Sequence, residues 1–242
     1  MSAFITTKGE LMAGSEQDKN QPEKKKKEFL PCKVIGMLIF SLILSIIIEW
    51  VGIAFQYWEP SGYLHSKLVM KNEFGWFSTE FQKSLLYSTP VEFVEWAILQ
   101  THHWLFVRTG VQAWLNDPSS SEWGAWTYHY LRDYVESVLY VIITFIIRLM
   151  IIVLTSPLFL LAALVGIVDG LVQRDLRRFG VGRESAFKYH HAKRAIFPVM
   201  LVAWIFYLSI PFSIHPNWIL IPSAIFFGLT ISFTLSNFKK HL

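Results

Sequence analysis

The chain has a single cysteine among 242 residues, so no disulfide can close within it and a disulfide-stapled secreted fold is excluded. Charge is scarce too: 17% of residues are Asp, Glu, Lys or Arg, against about 25% in a soluble domain of ordinary composition. No GxxxxGK[ST], GxSxG or HExxH occurs, which leaves nucleotide hydrolysis and the common hydrolase chemistries without sequence support. No run alternates polar and apolar residues with the period of a strand. What the chain has in excess is apolar surface, 53% of its residues, with a mean hydropathy of +0.38. It lies in long unbroken runs, which mark an integral membrane protein. Disorder is excluded beyond the first thirty residues.

Net charge is +4, but in a membrane protein the position of each cation matters more than the sum. Residues 1–33 read as a disordered, solvated cytoplasmic tail ending in Lys24-Lys25-Lys26-Lys27. The first apolar run, 34–55, is about 33 Å long as a helix and so crosses a ~30 Å hydrocarbon core. The polar region before it is too long for a cleavable signal, so it is read as a retained anchor. Cys32 precedes the run and is not placed for lipidation. The second run, Val135 to Val172, would be roughly 57 Å, too long for one span and barely enough for two. Pro157 marks either a hairpin or a kink.

Charge settles the number of crossings. Gln173 to Arg194 holds seven Lys/Arg against two acids and should stay cytoplasmic like the tail. Two cytoplasmic ends separated by the first span require one crossing here, placed at 148–171 with Arg148 at the outer interface and Asp169 at the inner. Val135–Ile147 then projects beyond the bilayer. The third and fourth spans are 196–213 and 218–238, and the chain closes on basic residues. Of 22 Lys/Arg, 16 fall in the three proposed cytoplasmic segments. The expected fold is all-α: four transmembrane helices, both termini cytoplasmic, a helical, aromatic-rich periplasmic segment over 56–147, and a basic cytoplasmic loop over 172–195.

Within the outer segment, Val91–Leu115 is apolar enough to suggest a fifth span. Glu92, Glu95, Gln100, His102, His103 and Arg108 oppose it, since each charge costs ~2.5–3.5 kcal/mol at mid-bilayer. Thr89, Pro90 and Glu92 mark a helix start with a capping box, and Ser119 with Glu122 marks another. Asn116-Asp117-Pro118 stops the first. Trp123, Trp126, Tyr130 and Tyr134 share one face of the second. Eight of the ten tryptophans lie between Trp50 and Trp126. The rings form either a helical cap on the outer leaflet or the core of a small periplasmic domain.

Candidate chemistry is thin. His102-His103 are adjacent on a helix and point about 100° apart, so they are poor co-ligands, and no carboxylate or thiol stands at matching spacing. His190-His191 share the weakness. No metal or cofactor is expected. Glu49 and Arg148 are the ionisable residues nearest membrane depth; they form an ion pair between spans one and two, or each snorkels separately. Transport would want polar residues at the midplane, where the spans offer mainly Ser and Thr. Ala162, Gly166 and Gly170 line one face of span two, and Gly228, Ser232 and Ser236 one face of span four. Such stripes serve packing within the chain or a homo-oligomer.

The most distinctive segment is the inner loop, GLVQRDLRRFGVGRESAFKYHHAKR. Arg174, Arg177 and Arg178 share a helical face, Gly180 suits the helix end, Gly182 allows a reversal, and Arg183 and Glu184 open the next helix. Anionic headgroups would explain the charge. They do not require two glycines and the interleaved Phe179, Phe187 and Tyr189, which suit a folded loop that a partner docks on. Seven cations could meet nucleic acid, but base-stacking and groove-entry features are missing and direct DNA contact is not expected.

This loop, with SPLFLLAALVGIVD before it, resembles the signature of a family of membrane proteins of integrating conjugative elements. That family is classed as a domain of unknown function and is encoded among conjugative type IV secretion genes near the coupling ATPase. The resemblance covers residues 33–240 and brings no catalytic residues. It implies a non-enzymatic component of a conjugative DNA-transfer apparatus in a Gram-negative inner membrane. The loop residues Arg174, Arg177, Arg178, Arg183, Lys188 and Arg194 would dock the coupling ATPase or another secretion-system subunit. The alternatives are an entry-exclusion-like membrane protein and a membrane transporter or enzyme using Glu49, Arg148 and the outer histidines.

Overall fold

The computed structural model describes residues 30–81, 89–116, 122–179 and 186–238. The expected tail falls outside them up to position 29. The described regular structure is helical throughout: α1 (Leu30–Ala54), α2 (Tyr63–Glu80), α3 (Pro90–His102), α4 (Val111–Asn116), α5 (Glu122–Leu154), α6 (Ser156–Phe179), α7 (Ala186–Ser209) and α8 (Pro216–Ser236). A π-helical stretch, His103–Arg108, continues α3. The chain divides into Met1–Gly36, of which only the opening of α1 is described, and Met37–Leu242. The second unit takes in α1 from Met37 onward and every later helix, and it holds the buried apolar cluster.

Four stretches are long and apolar enough to cross a membrane: Lys33–Ala54, Tyr130–Arg177, His191–Ser209 and Pro216–Ser236. Their packing suits that setting. On α1 the buried positions are Met37, Ser41, Ser45, Glu49 and Gly52, at steps of four and three, while Ile39, Phe40, Ile43, Ile47 and Val51 face out. A helix in water would present the reverse. Turning serines and a carboxylate inward and branched apolar side chains outward fits hydrocarbon surroundings.

The long second run breaks at Thr155. Pro157 has no N–H to offer the carbonyl of Val153, and the Thr155 hydroxyl donates to the Ile151 carbonyl at 2.7 Å, which favours bending there. α5 and α6 scarcely touch, so the chain passes from one into the other instead of folding back as a hairpin. Almost every residue of α5 from Leu139 to Leu154 is buried or half-buried, whereas α6 exposes Leu160, Leu161, Leu164, Val165 and Val168.

The two small-residue stripes meet each other. A Cβ on Gly166 would overlap the Gly228 carbonyl, one on Gly170 would lie 2.7 Å from that of Ser232, and one on Gly228 2.8 Å from that of Ala162. Residue numbers on the two helices rise together, so α6 and α8 run in the same direction with backbones in contact. α7 lies between them in the sequence, runs the opposite way, and is joined to α8 by the turn 210–215. This gives the helix group a turn end, at 210–215, and a loop end, where α6 stops at Phe179 and α7 starts at Ala186.

α2 runs alongside α5 in the same direction, since Tyr63 stacks on Tyr140 with ring centroids 6.3 Å apart and Glu73 reaches Arg148. Phe77 of α2 and Val94 of α3 belong to one buried cluster with Ile147, Ile151, Tyr207 and Leu208. Among the described residues, Phe77 and Val94 of the segment after α1 therefore share the core of the long helices. Thr89 precedes α3 and Pro90 opens it as expected, but the Thr89 side chain makes no capping bond. Ser119 and the side chains of Trp123 and Trp126 lie outside the described residues. Tyr134 meets Trp50 edge-on at 6.1 Å and accepts its indole N–H at the backbone carbonyl.

Candidate functional site

Burying a charge is tolerable only beside a partner that satisfies it. Two such pairs sit near the turn end. The guanidinium of Arg148, 2% exposed, donates Nε and Nη2 to one carboxylate oxygen of Glu73, which is fully buried, at 3.2 and 2.8 Å. Its remaining N–H groups go to backbone: Nη1 to the carbonyls of Tyr207 and Ile210, Nη2 to Phe212 at 2.8 Å. Those carbonyls close the C-terminal end of α7 and open the turn, so Arg148 serves as their shared cap. The guanidinium carbon also lies 5.5 Å from the centre of the Tyr207 ring. Burial pushes the Glu73 carboxyl up from its ordinary value, and the Arg148 charge and hydrogen bonds oppose that rise. The backbone N–H of Ile214 and the Tyr207 hydroxyl also face the Glu73 carboxyl and oppose the rise.

The second pair joins α1 to α2. Glu49 Oε1 lies 3.1 Å from His65 Nδ1, both buried. Trp58 closes over it, stacked on the imidazole at 4.6 Å and donating its indole N–H to the Glu49 carbonyl. A Cβ on Gly52 would overlap that indole ring, so only glycine lets the chain fold back here. A third, half-exposed pair joins His215 to Glu80 at 2.6 Å.

Glu49 and Arg148 are thus not bonded to each other, a pairing the sequence had left open; each takes its partner from α2. They do line one small polar cavity of about 20 Å3 with Ser45, Ser66 and Thr144, room for about one water molecule. Glu73 and His65 escaped the sequence reading because they are two among many polar residues of the outer segment. The available signal is their spacing: His65, Val69, Glu73 and Phe77 fall on one face of α2.

The basic residues lie at the opposite, loop end. Arg174, half-buried, pairs with the adjacent Asp175 at 3.2 Å. Arg177 reaches Asn237 Oδ1 at 3.4 Å, joining the ends of α6 and α8. Arg194 is exposed on α7. Arg178 is within α6 and Lys188 within α7, but their side chains, and all of Arg183, fall outside the described residues. Asp169 accepts from Gln173 at 2.8 Å and from the Ser232 hydroxyl, tying α6 to α8. Of the outer histidines, His102 stacks on Phe106 at 4.2 Å and His103 faces outward.

No curated protein and no solved structure matches the chain. A family model does match, over residues 57–239, which takes in α2 to α8 and begins after α1 ends. It agrees with the inner-loop resemblance in the process concerned, conjugative DNA transfer. The match covers about three quarters of the sequence, so the chain belongs to the DtrJ-like family, described as IncC plasmid conjugative DNA transfer protein DtrJ-like.

Proposed function

We propose that the chain is a non-enzymatic, multi-pass component of the bacterial inner membrane that serves a conjugative type IV secretion apparatus of a plasmid or integrating element. Both termini and the 172–195 loop lie in the cytoplasm, and α2 to α4 in the periplasm. The loop docks the coupling ATPase or another subunit of the apparatus through Arg174, Arg177, Arg178, Arg183, Lys188 and Arg194.

The observation that carries this reading is the separation of the charges. The buried acids and Arg148 are consumed in joining α1, α2, α5 and the 210–215 turn, which supports a structural role for Glu49 and Arg148 over catalysis or transport. The cations of the loop end gather in one segment between two spans, where the positive-inside rule favours the cytoplasm and an acidic partner surface could reach them. The glycine seam is filled by α6 and α8 of the same chain, which supports a role for these two stripes in packing within one chain. Replacing Arg174, Arg177 and Arg178 together by alanine is expected to abolish mating in a donor while the protein reaches the membrane in normal amount. Normal mating by that variant would sink the docking proposal.

A further inference from the structure

α3 is three-sided. Val94 is fully buried in the common core and Ile98 packs against it. Advancing at 100° per residue, the next arc carries Ala97, Phe93, the exposed Gln100 and Trp96. Phe93 is 42% exposed and Trp96 59%, their rings 5.8 Å apart. The remaining arc holds the exposed Glu92, Glu95, His102 and His103, interrupted by Leu99. A helix with one face on protein, one aromatic and one acidic belongs where protein, lipid and water meet.

Its position agrees. Glu80 at the end of α2 meets His215, which caps the start of α8, so the chain approaches α3 from the end of a membrane-length helix. Val94 shares its cluster with Ile147 and Ile151, at the turn end of the α5 core. Further on, Trp104 is 49% exposed with the Arg108 guanidinium 4.0 Å from its ring centre. That pairing offers an aromatic plane to the interface and a cation to a phosphate oxygen. We infer that the Phe93–Trp96 arc of α3, continued by Trp104, is seated in the headgroup layer of the bilayer that the chain crosses, with phospholipid as its occupant.

A protein partner is the poorer fit by size. A stable protein interface covers about 800 Å2 on each side, while an aromatic ring offers ~150–250 Å2 even when wholly covered. Three half-covered rings hemmed by acids fall well short of that. For interfacial seating they are enough, since tryptophan at the headgroup level needs only its own ring buried and its N–H wet.

The seating rests on the membrane-spanning reading proposed for the chain, and the test separates the two. Full-length chains carrying Cys32→Ser and one new cysteine, at Trp96, Glu92 or Leu164, are labelled with bimane and reconstituted in phosphatidylcholine vesicles. The vesicles contain lipid with a nitroxide placed shallow or deep, and iodide serves as the aqueous quencher. Leu164 on α6 should respond to the deep nitroxide. Trp96 should be quenched by the shallow nitroxide about twofold or more above Glu92, and Glu92 by iodide. If Leu164 responds to lipid but Trp96 follows Glu92 into iodide, the seating is wrong and the arc is a protein-docking face. If Leu164 answers only to iodide, the spanning arrangement itself falls, and the seating with it. Phe93→Cys repeats the measurement on the same arc should Trp96→Cys fail to elute as a single species.

Discussion

The two ends of the helix group treat charge in opposite ways. At the turn end, Glu49, His65, Glu73 and Arg148 are buried, and each is paired with a residue on another helix: Glu49 with His65 on the next helix, and Glu73 with Arg148, 75 residues further along. At the loop end, Arg174 pairs with its own neighbour Asp175, Arg177 makes one long contact to Asn237, and Arg194 stays at the surface. Desolvated charges must be satisfied from within, so the first group is committed to the fold. Charges that keep their hydration can be exchanged onto a partner at little cost. The contrast separates residues whose loss should unfold the protein from residues whose loss should silence it while it stays folded.

Arg148→Met offers the largest effect. It leaves the fully buried Glu73 without its counter-charge and strips the donor from the carbonyls of Tyr207, Ile210 and Phe212. Removing one member of a buried pair costs about 3–5 kcal/mol, to be read as loss of thermal stability in detergent micelles. Adding Glu73→Leu should return much of that loss, because the orphaned carboxylate goes with it. If Arg148→Met is as stable as the parent, the turn end is not held by its buried pair and the contrast collapses.

Next comes the seam. Gly166→Leu drives a side chain into the Gly228 carbonyl, where even a Cβ would overlap. Overpacking of this kind costs about 1–3 kcal/mol, and here two backbones must part to relieve it. Gly75→Ala is the control, since nothing lies within 4 Å of a Cβ at that site in α2; it should be stabilising by up to ~1 kcal/mol through helix propensity. Equal outcomes for the two glycines would mean that α6 and α8 do not pack backbone to backbone. A smaller loss, about 1 kcal/mol, is expected for Glu49→Gln, which keeps a hydrogen-bonding side chain against His65 and removes only the charge.

Much of this arrangement is legible in the sequence, for identifiable reasons. The four apolar runs are long, and hydrophobic length alone marks them. Gly166 and Gly228 stand in stripes of small residues whose only efficient use is close helix packing, so the seam was readable even though its partner was not. Gly180 and Gly182, read as a helix end and a reversal, lie outside the described residues. The turn-end site was less legible. α2 buries His65, Ser66, Val69, Glu73 and Phe77 on one face, a stripe of mixed polarity in which apolar periodicity finds no contrast. Glu73 is recognisable as a buried partner only once Arg148 is known to lie beside it, 75 residues further along the chain. Charge placement could say that Arg148 needed a carboxylate; it could not choose Glu73 over Glu49.

The smallest effect on the fold should come from the loop end, and it carries the comparison furthest. Alanine at Arg174, Arg177 and Arg178 removes the pair with Asp175 and the 3.4 Å contact to Asn237. Exposed ion pairs of this type contribute about 0–1 kcal/mol, and substitutions clear of core features usually stay within about ±0.5 kcal/mol each. The variant should therefore unfold within a few degrees of the parent in micelles. Arg177→Ala should account for most of any change, since among the described contacts of the three arginines it alone bridges α6 and α8. Against Arg148→Met, this inverts the order of consequences: a single buried arginine moves stability by several kcal/mol, and three arginines at the other end move it little. Loss of stability from the triple variant on the scale of Arg148→Met would mean that the loop end is also structural. Mating data from it would then report on folding and could not be assigned to docking.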